Sequence, residues 1–178
     1  MSRKPCFRAA DSRDAARCHE IEQSAYEGAE AATLEKIALR IDLYPEGFVV
    51  MEIDGQVAGF INSGCARKVV MSDEAFKELV GHDPDAPNVV ILSVVIDPAM
   101  QGRGYARLMM EEFVERMARM GKATIHLMCK ERHVGLYAKF GFQYDKPSAS
   151  DHGGMSWHEM VRRLDAPALS ATPHGDGA

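Results

Sequence analysis

The chain has few of the features that assign a class at once. Four cysteines in 178 residues, Cys6, Cys18, Cys65 and Cys129, form no CxxC or CxxCH pair. That spacing excludes a small disulfide scaffold and reads as reduced thiols of a cytoplasmic protein. A basic field is missing: 21 Lys and Arg against 26 Asp and Glu leave a formal charge of -5. A nucleic-acid surface needs the opposite sign, so no nucleic-acid partner is expected. No apolar run reaches membrane-spanning length and no charged-then-apolar leader opens the chain, so neither membrane insertion nor secretion is expected. The histidines show no H-E-x-x-H or similar ligand spacing, so no metal is expected. No internal repeat is visible.

What is present is concentrated between Val89 and Met120. A β-branched run ends at Asp97-Pro98, a turn with two glycines follows, and an amphipathic helix begins. A strand, a glycine turn and a helix N-terminus leave several amide N–H groups unpaired at the positive end of a helix dipole. A phosphate suits that position. The turn lacks the G-K-[ST] of a P-loop, and Arg107 stands where a dinucleotide fingerprint needs its third glycine.

The rest of the chain supplies an α/β frame. Cys6–Ala9 reads as a strand, and Asp11 as an N-cap with Asp14 as its capping-box partner. Ala15, Cys18, Ile21 and Ala25 fall at helical spacing over 12–27. Glu20, Glu22 and Glu27 read as a solvated face; Glu20 or Glu22 is also a candidate to bind an ammonium or relay its proton. Thr33 caps a second helix over 33–43. Phe48–Ile53, Asp54-Gly55 and Gln56–Ile61 make a hairpin. A short helix capped by Ser72 is expected over 72–81. Strand 88–97, apolar except at Ser93, reads as buried on both faces. Helix 104–120 is expected to bury Leu108, Met109, Phe113, Met117 and Met120. Strand 123–129, helix 131–140, a strand from Phe142 and a last strand over 155–164 complete the order β-α-α-β-β-α-β-α-β-α-β-β. That order implies one domain over 1–164 with a mixed sheet. Residues 165–178 are Pro, Gly, Ala and Ser rich and read as a disordered tail.

Two boxes carry the chemistry. The first is Gln101-Gly-Arg-Gly104-Tyr-Ala106, after a strand ending in Asp-Pro. The second is Leu136-Tyr137-Ala-Lys-Phe-Gly141-Phe142. Together, and in this order, they resemble the GNAT superfamily of acyl-CoA-dependent N-acetyltransferases over residues 5–164. The resemblance implies a mainly antiparallel sheet, splayed at its central strands and flanked by helices. It implies acetyl-CoA as cosubstrate, its pyrophosphate on the amides of Gly102, Arg103, Gly104, Tyr105, Ala106 and Arg107. It places the pantetheine arm along Val94, Val95 and Ile96, with a backbone N–H near Val94 polarising the thioester carbonyl. Tyr137 would protonate the leaving thiolate.

A narrower likeness lies in Cys129-Lys-Glu-Arg-His-Val-Gly-Leu-Tyr137, in His19-Glu-Ile-Glu-Gln-Ser-Ala25 and in Met155-Ser-Trp-His-Glu-Met160. These resemble blocks of the arylalkylamine (serotonin-type) N-acetyltransferases, which implies a small primary amine as acceptor and a monomer or homodimer. The vertebrate enzymes of that subfamily carry two histidines on the central strand. Val90 and Leu92 occupy those positions here, and His126 is a candidate replacement base. A polyamine acceptor, favoured by acidic first helices, and a non-catalytic acyl-CoA-binding module are the alternative readings. Trp157 is expected in the core rather than against a substrate.

Overall fold

A computed structural model of the chain describes residues 4–26 and 30–164. The expected tail over 165–178 and Glu27 lie outside the described residues. Among the described residues, seven strands form one sheet: β1 Cys6–Ala9, β2 Phe48–Ile53, β3 Gln56–Ala66, β4 Asn88–Ile96, β5 Thr124–Cys129, β6 Gln143–Pro147 and β7 His158–Arg163. Their spatial order is β1-β2-β3-β4-β5-β7-β6, and β4 with β5 is the one parallel pair. Helices α1 Ala15–Ala25, α2 Leu34–Leu43, α3 Tyr105–Arg119 and α4 Glu131–Lys139 flank it. The expected α/β architecture is present, and the element order is the expected one except over 72–81.

The sheet has apolar groups on both faces because its central strands are apolar at nearly every position. Cys18, Ile21, Ile37 and Ile41 of α1 and α2 pack with Phe48, Val50, Phe60 and Val95. On the other face Met109, Met110, Phe113 and Met117 of α3 pack with Met51, Ile61, Val89 and Ile125. Burying each such side chain contributes about 1.5–3 kcal/mol. The buried stripe of α3 is rotated from the expected one. Tyr105, Met109, Met110, Phe113 and Met117 are buried, while Leu108 and Met120 are 42% and 41% exposed. Steps of four from Tyr105 define the inner face, and Leu108 lies one residue off it.

Three other expectations shift. The segment expected as a helix over 72–81 is a 3₁₀ turn over Glu74–Glu78. Its cap is Asp73, which accepts from Ala75 N, rather than Ser72, and Leu79 ends it in the left-handed region at φ 59°. β3 continues five residues past Ile61, through Asn62 and Ser63, both buried. At that point the register with β4 shifts, from Asn62 opposite Ser93 to Ser63 opposite Ile91, so Leu92 bulges out.

The expected capping box is present, on the 3₁₀ turn Ser12–Asp14 that leads into α1. Asp14 accepts from Asp11 N at 2.8 Å and receives both Arg8 guanidinium nitrogens at 2.7 and 2.8 Å. Arg8 hydrogen bonding holds the Asp14 carboxyl below its ordinary range, against partial burial. A depressed folded value means stability present above the unfolded pKa of about 3.9 and lost as pH falls through the folded value. Asp14→Asn should therefore cost about 2 kcal/mol at pH 7. Urea denaturation should show that difference shrinking below pH ~3.9.

Candidate functional site

The site begins where β4 and β5 part. Their ladder runs only from Asn88 opposite Thr124 to Val90 opposite His126. Beyond it the strands diverge, and β4 presents an open edge. Asp97 N donates to Ala58 O at 2.8 Å, toward β3. Alternation along the strand then turns the amide groups of Val94 and Ile96 toward the gap. Two side chains confirm that direction by taking the carbonyls there. Tyr26 donates to Val94 O at 2.9 Å, and Gln101 Nε2 donates to Ile96 O at 3.2 Å.

A cavity of about 610 Å³ fills the gap on the α3 side. Its lining includes Val94, Val95, Ile96, Gly102, Gly104, Tyr105, Ala106 and Arg107 from the expected cofactor set, and Tyr137. Arg103 does not line it and is exposed. The turn is built by local chemistry. Asp97 accepts from Ala99 N and receives Arg17 Nη2 at 2.7 Å, which fixes the strand end. Gly102 and Gly104 then take φ of 77° and 82°. Gly104 is the N-cap of α3 and supplies no side-chain acceptor. A Cβ built on either glycine meets no atom within 4 Å. A helix start with no side-chain cap, open space above it and a helix dipole are the features that could hold a phosphate group.

A second cavity of about 90 Å³ lies on the other side of the gap. Val90 and Leu92 line it, so the positions of the histidine pair do face it, with apolar side chains. Val70, Met71, Phe76 and Met128 add apolar surface, and Ser93, Lys77, Asp73 and His152 add polar groups. His126 is not part of either lining. Its Nε2 lies 2.9 Å from Thr124 Oγ1, and burial lowers its pKa. The candidate base is thus absent from the site. Among the described residues, no three His, Cys, Asp or Glu side chains gather as a metal site.

Tyr137 lines both cavities. Its ring packs edge-on to Phe140 and Phe142, at centroid distances of 6.1 and 6.0 Å. Burial pushes its phenol pKa up, and neighbouring Tyr26 adds to the rise. The phenol is therefore a neutral donor throughout the working pH range.

Five residues here escaped the sequence reading or were misread by it, at least in part. Trp157, expected in the core, is only half-buried and lines both cavities. Glu22, expected on a solvated face, is 1% exposed; its Oε2 accepts from Ala32 N and its Oε1 has no partner. Glu20 is exposed and paired with Arg17, away from both cavities. Arg40 is 2% exposed and sits behind the smaller cavity. It donates to Lys77 O at 3.0 Å and to Asn62 Oδ1 and Ser93 Oγ at 3.4 Å, and burial lowers its pKa. Ser93 thus accepts from a cation and keeps its own proton free to donate. The signal for Arg40 was its place three residues after Ile37, on the inner face of α2. Glu30 gave no local signal; chain folding alone brings it to both cavities.

Comparison with known proteins agrees with this geometry. The model of the acetyltransferase (GNAT) family matches residues 15–142. Serotonin N-acetyltransferase 2, chloroplastic, of Oryza sativa subsp. japonica is 38% identical over 77 residues. That stretch covers 43% of this chain and 37% of the rice protein. The loading GNATL domain of CurA from Lyngbya majuscula superposes with a TM-score of 0.79 at 15% identity, over 90% of this chain and 98% of that one. A putative acetyltransferase from Salmonella typhimurium, yncA, solved with acetyl-CoA, gives 0.67 at 21% identity, over 91% and 95%. At those identities the two structures share the fold.

Proposed function

From the premise that this chain belongs to the acetyltransferase (GNAT) family, we propose that it moves acetyl from acetyl-CoA to the primary amine of a small arylalkylamine-like molecule. The observation that carries this reading is the meeting of two cavities at the open edge of β4. The larger holds the coenzyme. Its diphosphate rests on the amides from Gly102 to Arg107, and its pantetheine arm runs along Val94 to Ile96. The smaller receives the amine.

Direct attack follows from that arrangement. Holding amine and thioester on either side of one strand edge makes the step effectively unimolecular. The Val94 N–H faces the gap, where it donates to the carbonyl oxygen as negative charge builds there. Tyr137 donates its hydroxyl proton toward sulfur as the C–S bond breaks.

The wall chemistry favours an aryl acceptor over a polyamine. Phe76, Leu92, Met128 and Trp157 surround the smaller cavity, and aromatic and thioether groups suit a ring. At about 90 Å³ it holds a short chain; shifts of Met71 and Met128 would admit the ring. The acidic first-helix surface that would attract a polyamine is not at the site. The rice relative is named a serotonin N-acetyltransferase, which supports the same class. Four free thiols suit the reducing compartment expected for a cytoplasmic enzyme. No helix among the described residues is long and apolar enough to cross a membrane.

An amine panel with thiol release as readout tests the acceptor class. Tryptamine and phenethylamine should exceed spermidine at least about tenfold in kcat/KM, a difference of about 1.4 kcal/mol. The reverse order would select a polyamine enzyme. Tight acetyl-CoA binding without release for any amine would select a binding module.

A further inference from the structure

Six residues line both cavities: Tyr26, Glu30, Val94, Met128, Tyr137 and Trp157. Glu30 is the carboxylate among them. Its side chain is 6% exposed, and its Oε1 accepts from Lys130 Nζ at 2.7 Å. Its Oε2 accepts no hydrogen bond from the described residues. The residue is held from three sides. His152 Nε2 lies 3.2 Å from its carbonyl. A Cβ on Gly153 would stand 3.1 Å from its Cγ, so the absence of a side chain there makes room for it. Lys130 in turn lies 6.0 Å from the Trp157 ring centroid.

Other titratable groups near the site are committed elsewhere. Asp73 caps a 3₁₀ turn through Ala75 N. Glu74 pairs with Lys77 at 2.8 Å. His152 has Nδ1 3.5 Å from Glu74 and Nε2 on the Glu30 carbonyl. Glu22 is turned to Ala32 N and lines neither cavity. His133 lines only the larger one.

Resting on the acetyl-transfer reading above, we propose that Glu30 accepts the proton of the attacking amine, with Lys130 as the residue that positions its carboxylate. The timing follows from acidity. A free ammonium, with pKa near ~10, holds its proton too tightly for a carboxylate to take it. The neutral amine attacks instead. As the C–N bond forms, its nitrogen becomes cationic and far more acidic, and Glu30 Oε2 takes the proton then. The C–S bond breaks with its electron pair going to sulfur, which takes the Tyr137 proton. Solvent carries the proton from Glu30 back to Tyr137, so neutral amine and thioester give amide and thiol with no net proton change.

The test is Glu30→Gln, assayed with the best acceptor of the amine panel and with the weakly basic 2,2,2-trifluoroethylamine. We expect kcat for the basic amine to fall about 10²-fold, the lower end for a lost general base, with coenzyme A affinity within about twofold. The loss for trifluoroethylamine should be several-fold smaller, because its adduct yields a proton to water readily. A loss under about threefold, or an equal loss for both amines, overturns the proposal. If Gln abolishes coenzyme binding, Glu30→Asp is put through the same comparison and decides by the same criterion. Wild-type protein that acetylates no amine overturns the acetyl-transfer reading, and this inference with it; wild-type activity with an unaffected variant overturns this inference alone.

Discussion

Replacing Tyr137 with phenylalanine should lower kcat on the order of 10³-fold while leaving coenzyme A affinity nearly unchanged. The ring would keep its edge contacts with Phe140 and Phe142, so packing survives the change. Only the hydroxyl is lost, from a residue that lines both cavities. Its raised pKa sharpens the expectation. Burial penalises the phenolate, so the group stays protonated well above pH 9 and does not itself shape the pH profile. The loss should therefore be constant from pH 6 to 9, in steady-state rates of thiol release. A deficit that grew or vanished across that range would show a titrating partner in place of Tyr137, and unchanged turnover would remove its role altogether.

The second large effect belongs to the cradle. Gly104→Val should weaken coenzyme A binding about 10²-fold, read by calorimetric titration. Two causes add. At φ 82° an L-residue costs roughly 1–2 kcal/mol, and a β-branched one sits at the upper end. The new side chain would also stand in the open space above the uncapped first turn of α3, where a phosphate must approach. Arg103→Ala offers the contrast. Because Arg103 does not line the cavity, its loss should change affinity by less than about threefold, the size of a screened surface charge.

The glycine turn before α3 and the helix that carries Tyr137 were legible in the sequence because each is a local device. A strand end, two glycines at fixed offsets and a helix start determine a turn without help from distant residues. The capping box at Asp11 and Asp14 and the hairpin at Asp54-Gly55 were legible for the same reason. The acceptor side was not. It is assembled from β4, the segment after α1, the turn before β7 and the 3₁₀ turn at Glu74, and no short pattern records their meeting. Glu22 looked like part of a solvated face because helical spacing from Ile21 and Ala25 allows either side; its carboxylate instead turns to Ala32 N and is buried. His126 shared a strand face with Met128, as alternation requires. The splay between β4 and β5 starts just beyond its register partner Val90, so the cavity opens past it. Trp157 looked like core because a lone tryptophan near a final strand usually packs there. The chain before β7 instead carries it into the lining of both cavities, and its Nε1 donates to His152 O at 2.8 Å.

The measurement closest to the central claim follows the acetyl group itself. Purified protein is incubated with phenethylamine and acetyl-CoA labelled in the acetyl carbon, and the products are separated. The account predicts labelled N-acetylphenethylamine and free coenzyme A thiol in equal amounts. Label that stays on coenzyme A, or that appears only as acetate, would contradict it.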